Sequence, residues 1–179
     1  DIKGTPVSLF LCPADQPVLL HAQKDTAYGG LLNLTAGGNG LLIALSAAHQ
    51  ALQNFYRDLL HLYTHNKAMY EQDTCMEGFE WVNADDSSRS IYSFIRHSKG
   101  AKKNLLFVCN FTPIERPEYR VGVPRGKQYR LVLNSDELQY GGSGKARPAV
   151  YKAKKQECDG RPYSFGYDLP PYGVAVFEF

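Results

Sequence analysis

The chain has 179 residues, of which 44% are hydrophobic, 21% charged and 12% aromatic; this is the balance of an ordinary globular protein with room for one domain plus an appendage. Its formal net charge of +2 provides no field that would point to nucleic acid or an anionic membrane surface. The longest apolar run, residues 41–48, is broken only by Ser46 and is far too short to span a bilayer. Asp1 stands where a methionine would be, so the chain is expected to be a fragment or a processed product. Residues 6–20 are mildly apolar but lack a basic lead and a small-residue cleavage site, so no signal peptide is expected. Cys12, Cys75, Cys109 and Cys158 lie far apart, with no CxxC pair. That spacing argues against a zinc site and for free thiols in a reducing cytoplasm.

Residues 1–47 show little periodicity, and Gly29-Gly30, Gly37-Gly38 and Gly40 argue against one continuous helix or strand there. Residues 48–66 read as an amphipathic helix. Leu52, Phe55, Tyr56, Leu59, Leu60 and Tyr63 recur at helical spacing, and Asn66 is the expected stop. From Gly78 the period becomes two. Phe79 and Trp81 alternate with Glu80, residues 83–88 form a turn cluster, and residues 91–95 complete a hairpin. Residues 105–111 are nearly all apolar, as in a central strand, and Thr112-Pro113 ends the run. Residues 119–123 and 128–133 flank the turn Pro124-Arg125-Gly126. Gly141-Gly142-Ser143-Gly144 opens a long polar loop, and residues 173–179 close the chain as a last strand. Six or seven short antiparallel strands predict a mainly β protein, an antiparallel β-sandwich preceded by one amphipathic helix.

Gly78-Phe79-Glu80-Trp81 resembles a string of the bacterial 1,4-α-glucan (glycogen) branching enzymes, relatives of α-amylase. The order of the other motifs is similar too. Phe55-Tyr56-Arg57-Asp58-Leu59 resembles the family's last barrel helix, and Asn66-Lys67-Ala68-Met69 the segment leading out of it. Ser90-Ile91-Tyr92-Ser93-Phe94-Ile95-Arg96, Val108-Cys109-Asn110-Phe111-Thr112-Pro113 and Leu133-Asn134-Ser135-Asp136 follow in the family's sequence. Tyr140-Gly141-Gly142-Ser143-Gly144 and Leu169-Pro170-Pro171-Tyr172-Gly173 complete it. The resemblance implies three stretches: an atypical segment over 1–47, a last barrel-type helix and linker over 48–77, and a C-terminal all-β domain over 78–179.

The family's string Glu-Phe-Gly-Gln-Trp-Arg-Glu-Trp is absent from residues 1–47. The run over residues 32–40 can be encoded so that another frame reads Glu-Phe-Asp-Gly-Trp-Arg-Glu-Trp. On that ground the reading frame is expected to be shifted before about Ala47, making 1–47 a remnant of the barrel end. The family's retaining double displacement uses a carboxylate nucleophile and a carboxylic acid that protonates the leaving oxygen, with a third carboxylate helping to position the sugar. The resemblance places all three upstream of Ala48, so no catalytic residue is assigned here, and no cofactor or metal is implied. The implied parent cuts α-1,4 linkages of a glucan and rejoins the freed chain through α-1,6 linkages in the cytoplasm. This chain would pack on the parent's catalytic barrel and contact α-glucan. The rival reading is a stand-alone carbohydrate-binding module; a structural cap without ligand is a third.

Among single residues, Trp81 is a candidate for stacking on a sugar ring, with packing the blander role. Tyr140, and Tyr163 and Tyr167 in the loop beyond it, are candidates for exposed glucan contacts. His61 and His65 have metal-binding spacing on a helix but no third ligand, so a solvated pair is expected. Asp85 and Asp86 are expected to shape a turn rather than flank a glycosidic bond. Lys145, Arg147, Lys152, Lys154 and Lys155 read as a solvated basic loop, and Gly141-Gly142-Ser143-Gly144 as a flexible turn with no P-loop lysine. The sequons at Asn33 and Asn110 read as chance matches. The helix stripe of Leu52, Phe55, Leu59 and Tyr63 is expected to be buried on the chain's own sandwich, with homodimerisation through the helix as the other route.

Overall fold

An alternation of buried and half-buried residues along Ile91–Arg96, beside complete burial along Leu105–Asn110, defines the architecture: a strand with one covered face next to a strand covered on both. The computed structural model describes residues 47–100 and 103–179, together with the backbone of four short strands nearer the N-terminus. It divides into two units, Asp1–Gln50 and Ala51–Phe179.

In the first unit, β1 (Lys24–Asp25) pairs antiparallel with β2 (Gly30–Leu31), and β3 (Leu34–Gly37) with β4 (Gly40–Ile43). The glycine-rich tract therefore holds short paired strands, in keeping with the expectation of no continuous element. Cys12, the stretch 6–20, the sequon at Asn33 and most of the suspected frame-shifted segment lie outside the described residues.

Helix α1 (Ala47–His65) follows, one residue off the expected bounds at each end. Asn66 leaves the helix and caps the next 3-10 turn, its side-chain oxygen accepting from the Ala68 amide at 3.1 Å. Eight strands complete the chain: β5 (Phe79–Asp86), β6 (Ile91–Arg96), β7 (Leu105–Asn110), β8 (Arg116–Val123), β9 (Gln128–Asn134), β10 (Val150–Lys152), β11 (Tyr163–Leu169) and β12 (Val174–Glu178). They form a six-stranded sheet, order β10-β9-β12-β7-β6-β5, and a two-stranded sheet of β11 and β8, with every pairing antiparallel.

Ile91, Ile95, Leu106, Val108, Tyr129 and Phe177 from the large sheet cluster with Tyr119, Val121, Phe165, Tyr167 and Leu169 of the small one. This is the interior of a β-sandwich, as the sequence predicts.

Three local expectations are corrected. Residues 83–86 continue β5, through irregular pairings, instead of starting the turn, because Asp86 still pairs with Ile91. The region after Gly144 is not one long loop: β10 and β11 lie within it, held by β9 and β8. The glycine-rich turn is fixed rather than flexible. Asp136 accepts from the Ser143 amide at 2.8 Å and its hydroxyl at 2.5 Å, and a Cβ on Gly142 would lie 2.3 Å from the Asp136 backbone.

Candidate functional site

Across the outer face of the large sheet, Trp81 lies opposite Phe94, Phe94 opposite Phe107, Phe107 opposite Val176, and Val176 opposite Leu133. Helix α1 covers one end of this row. Phe55, Leu59 and Leu62, spaced to share one helix face, pack on the cluster of Leu105, Phe107, Leu133 and Val176. The helix thus docks on its own sandwich, as expected. The inward stripe nonetheless differs from the expected one: Leu62 joins Phe55 and Leu59, while Leu52, Tyr56, Leu60 and Tyr63 remain exposed.

Polar contacts fix the docking. The Tyr140 hydroxyl donates to Asp58 Oδ2 at 2.8 Å, the Tyr140 ring meets Phe55 edge-on at 5.3 Å, and Asn54 Nδ2 donates to the Gln139 carbonyl at 3.4 Å. The hydroxyl, followed by Arg57, lowers the Asp58 carboxyl below its ordinary value despite opposing desolvation. Burial and the Asp58 carboxylate push the Tyr140 hydroxyl well up, so it stays a donor at neutral pH.

The other end of the row is open. Phe79 meets Trp81 edge-on at 4.9 Å and stacks on Phe94 at 5.2 Å. Trp81 lies 6.4 Å from Tyr92, which contacts Phe111 at 5.7 Å. Trp81 is 51% and Phe111 61% exposed. Glu80, between Phe79 and Trp81 on β5, turns to the other side of the sheet: His97 Nε2 lies 2.7 Å from Glu80 Oε2, while Arg161 pairs with Glu80 and donates to the Trp81 carbonyl at 3.1 Å.

The predicted contact residues do not converge. Trp81 belongs to this open aromatic face. Tyr140 is half-buried as the latch on α1. Tyr163 is half-buried, its ring lying where a Cβ on Gly126 would come within 2.7 Å of it. Tyr167 is 1% exposed, and the expectation of an exposed loop aromatic is wrong for it. Residues 163–169 form β11, which turns Tyr167 into the core, 5.1 Å from Phe177, so the ring has no face to offer a sugar. The reading of single residues missed Phe79 and Tyr92 as neighbours of Trp81, and Phe111 beside Tyr92. The i, i+2 spacing of Phe79 with Trp81 and of Tyr92 with Phe94 was the available signal.

The remaining candidates have structural roles. Asp86 receives Arg89 on both oxygens, at 2.9 and 2.7 Å, and its carbonyl accepts from the Ser90 amide. Asn110 is buried and donates to the carbonyls of Ile114 and Pro170. Lys145 pairs with Glu115 and Arg147 with Asp136, while Lys152, Lys154 and Lys155 stay exposed. Among the described residues no cluster of three His, Cys, Asp or Glu side chains could hold a metal ion, and no helix is long and apolar enough to cross a membrane.

A sandwich closed by a C-terminal strand, with a helix leading into it, defines a class that the sequence profile identifies: the alpha amylase C-terminal all-beta domain matches residues 81–179. The chain belongs to that family. It is also 46% identical over 131 residues to the 1,4-alpha-glucan branching enzyme GlgB of Butyrivibrio fibrisolvens, covering 73% of this chain and 20% of that protein. The 1,4-alpha-glucan branching enzyme GlgB 1 of Clostridium perfringens (strain SM101 / Type A) is 40% identical over 130 residues, covering 73% of this chain and 19% of its own length. The GlgB of Aquifex aeolicus (strain VF5) is 42% identical over 131 residues, covering 73% and 21%. The chain thus spans about a fifth of the length of the curated relatives it matches.

Proposed function

We propose that this chain supplies the C-terminal β domain of a cytoplasmic 1,4-α-glucan branching enzyme, and that its open aromatic face docks on the catalytic barrel. The parent enzyme would cut an α-1,4 linkage and rejoin the freed glucan through an α-1,6 linkage. The observation carrying the docking is the uncovered half of the outer sheet face, where Phe79, Trp81 and Phe111 are all exposed. Contiguous apolar surface of this kind marks an interaction site. The chain's own part is non-catalytic: residues 1–179 should leave the iodine-stain spectrum of amylose unchanged. The docking test uses Trp81, the only tryptophan. Adding the separately produced barrel portion of a branching enzyme should slow oxidative labelling of Trp81, read on its own peptide by mass spectrometry, and unchanged labelling at saturating barrel defeats the proposal.

A stand-alone glucan-binding module is the second reading, favoured by the exposure of Trp81, because an indole face stacks well on a sugar ring. It predicts retardation of the isolated chain in a native gel containing glycogen, abolished by Trp81→Ala. Association of two chains through Leu52, Tyr56, Leu60 and Tyr63 would show as a doubled mass in light scattering across a concentration series.

A further inference from the structure

The last turn of α1 sets two imidazoles side by side. His61 and His65 are both exposed and share one helix face, as residues four apart must. Their rings stack with centroids 4.0 Å apart and planes 14° from parallel. Two imidazole nitrogens bound to one metal at about 2.0–2.1 Å stand roughly 3.3 Å apart at the tetrahedral angle. A small tilt of either ring brings the pair to that spacing.

The hydrogen bonds on His65 decide which of its nitrogens is bare. Nδ1 lies 3.0 Å from the His61 carbonyl oxygen, which can only accept. Thr64 Oγ1, 2.9 Å from the same nitrogen, donates its own hydrogen to the Leu60 carbonyl at 3.0 Å and so accepts as well. Nδ1 therefore carries the ring hydrogen, and Nε2 keeps its lone pair. A ring N–H held by a backbone carbonyl, with the opposite nitrogen bare, is the arrangement that metal-ligating histidines adopt. Among the described residues, no hydrogen bond engages His65 Nε2 or the His61 ring.

The surroundings favour a cation. The helix ends at His65, where its last carbonyls concentrate partial negative charge. Asp58 from the helix and Glu178 from β12 line the same groove of ≈ 390 Å³ as the two histidines. Arg130, the cation on the sheet side of that groove, is neutralised by Glu178 Oε1 at 2.6 Å. Imidazole ligands select nickel, copper and zinc over magnesium and calcium, which take oxygen.

We infer that His61 and His65 form a two-histidine site for a divalent transition-metal cation of the nickel, copper or zinc class, with water completing the coordination. Two side-chain ligands fall short of the three-ligand cluster of a tightly held metal, so the ion exchanges with solution. The site is built by α1 alone and does not depend on the branching-enzyme reading.

The test is isothermal titration of the 179-residue chain with nickel chloride. Saturable binding is expected, with His61→Asn and His65→Asn each raising Kd about 100-fold, the advantage of two linked ligands over one. Cys75→Ser removes the exposed thiol and should leave Kd unchanged. Thermal unfolding of the metal-free variants confirms that they are folded. Nickel should then raise the unfolding temperature of the wild type and of Cys75→Ser, but of neither histidine variant. No binding by the wild-type chain overturns the inference. So does binding that both histidine variants retain, or that Cys75→Ser abolishes.

Discussion

Phe94 stacks on Phe107 with ring centroids 4.8 Å apart and planes 6° from parallel, and this pair is the seam between the covered and open halves of the sheet. Phe107 is 8% exposed beneath the cluster that receives α1, whereas Phe94 carries the aromatic row out toward Trp81.

Removing the covered side of that seam should be costly. Phe107→Ala and Leu105→Ala each delete a buried side chain at the centre of the large sheet. Each should lower unfolding free energy by about 2–5 kcal/mol, measured by urea denaturation. Values within about 0.5 kcal/mol of wild type, the surface range, would contradict the packing.

The two faces of α1 should respond differently. Leu59→Asp places a carboxylate against the cluster of Leu105, Leu133 and Val176 and should cost about 1–3 kcal/mol. Leu60→Asp changes a side chain that is 60% exposed and should stay within about 0.5 kcal/mol. Parallel chemical denaturation of both variants checks this.

Acid should weaken the latch between helix and sheet. The Tyr140 hydroxyl lowers the Asp58 carboxyl from its ordinary 3.8, and a carboxyl lowered in the folded state adds stability above its unfolded value. That contribution is lost as pH falls through the folded value. The stability gap between wild type and Tyr140→Phe should therefore be present at neutral pH and shrink as pH drops below 3.8. A gap that widens in acid would reverse the sign.

Gly122 marks a close backbone approach. A Cβ there would sit 2.1 Å from the Cys158 carbonyl oxygen, and the Gly122 amide donates to Asp159 Oδ2 at 2.9 Å. Gly122→Ala must displace main chain from main chain, so it should cost about 1–3 kcal/mol by thermal or urea unfolding.

Helix α1, strands β5 to β7 and the final strand were legible from local pattern, because a 3.6-residue period, a two-residue period and a continuous apolar run each report on nearby burial. Strand β11 was not. Ser164, Gly166 and Asp168 dilute its apolar signal, and its burial depends on Phe165 meeting Val121 of β8 far away in sequence. The choice between the two apolar stripes of α1 was equally out of local reach. It is settled by contacts such as Asp58 with Tyr140, separated by 82 positions. The same limit governed the candidate site. The alternation in Phe79-Glu80-Trp81 says that the two aromatics share a face, but only the point where α1 stops covering the sheet leaves Trp81 open and Phe107 closed. Periodicity records which side chains point the same way, whereas exposure depends on what the rest of the chain lays over them.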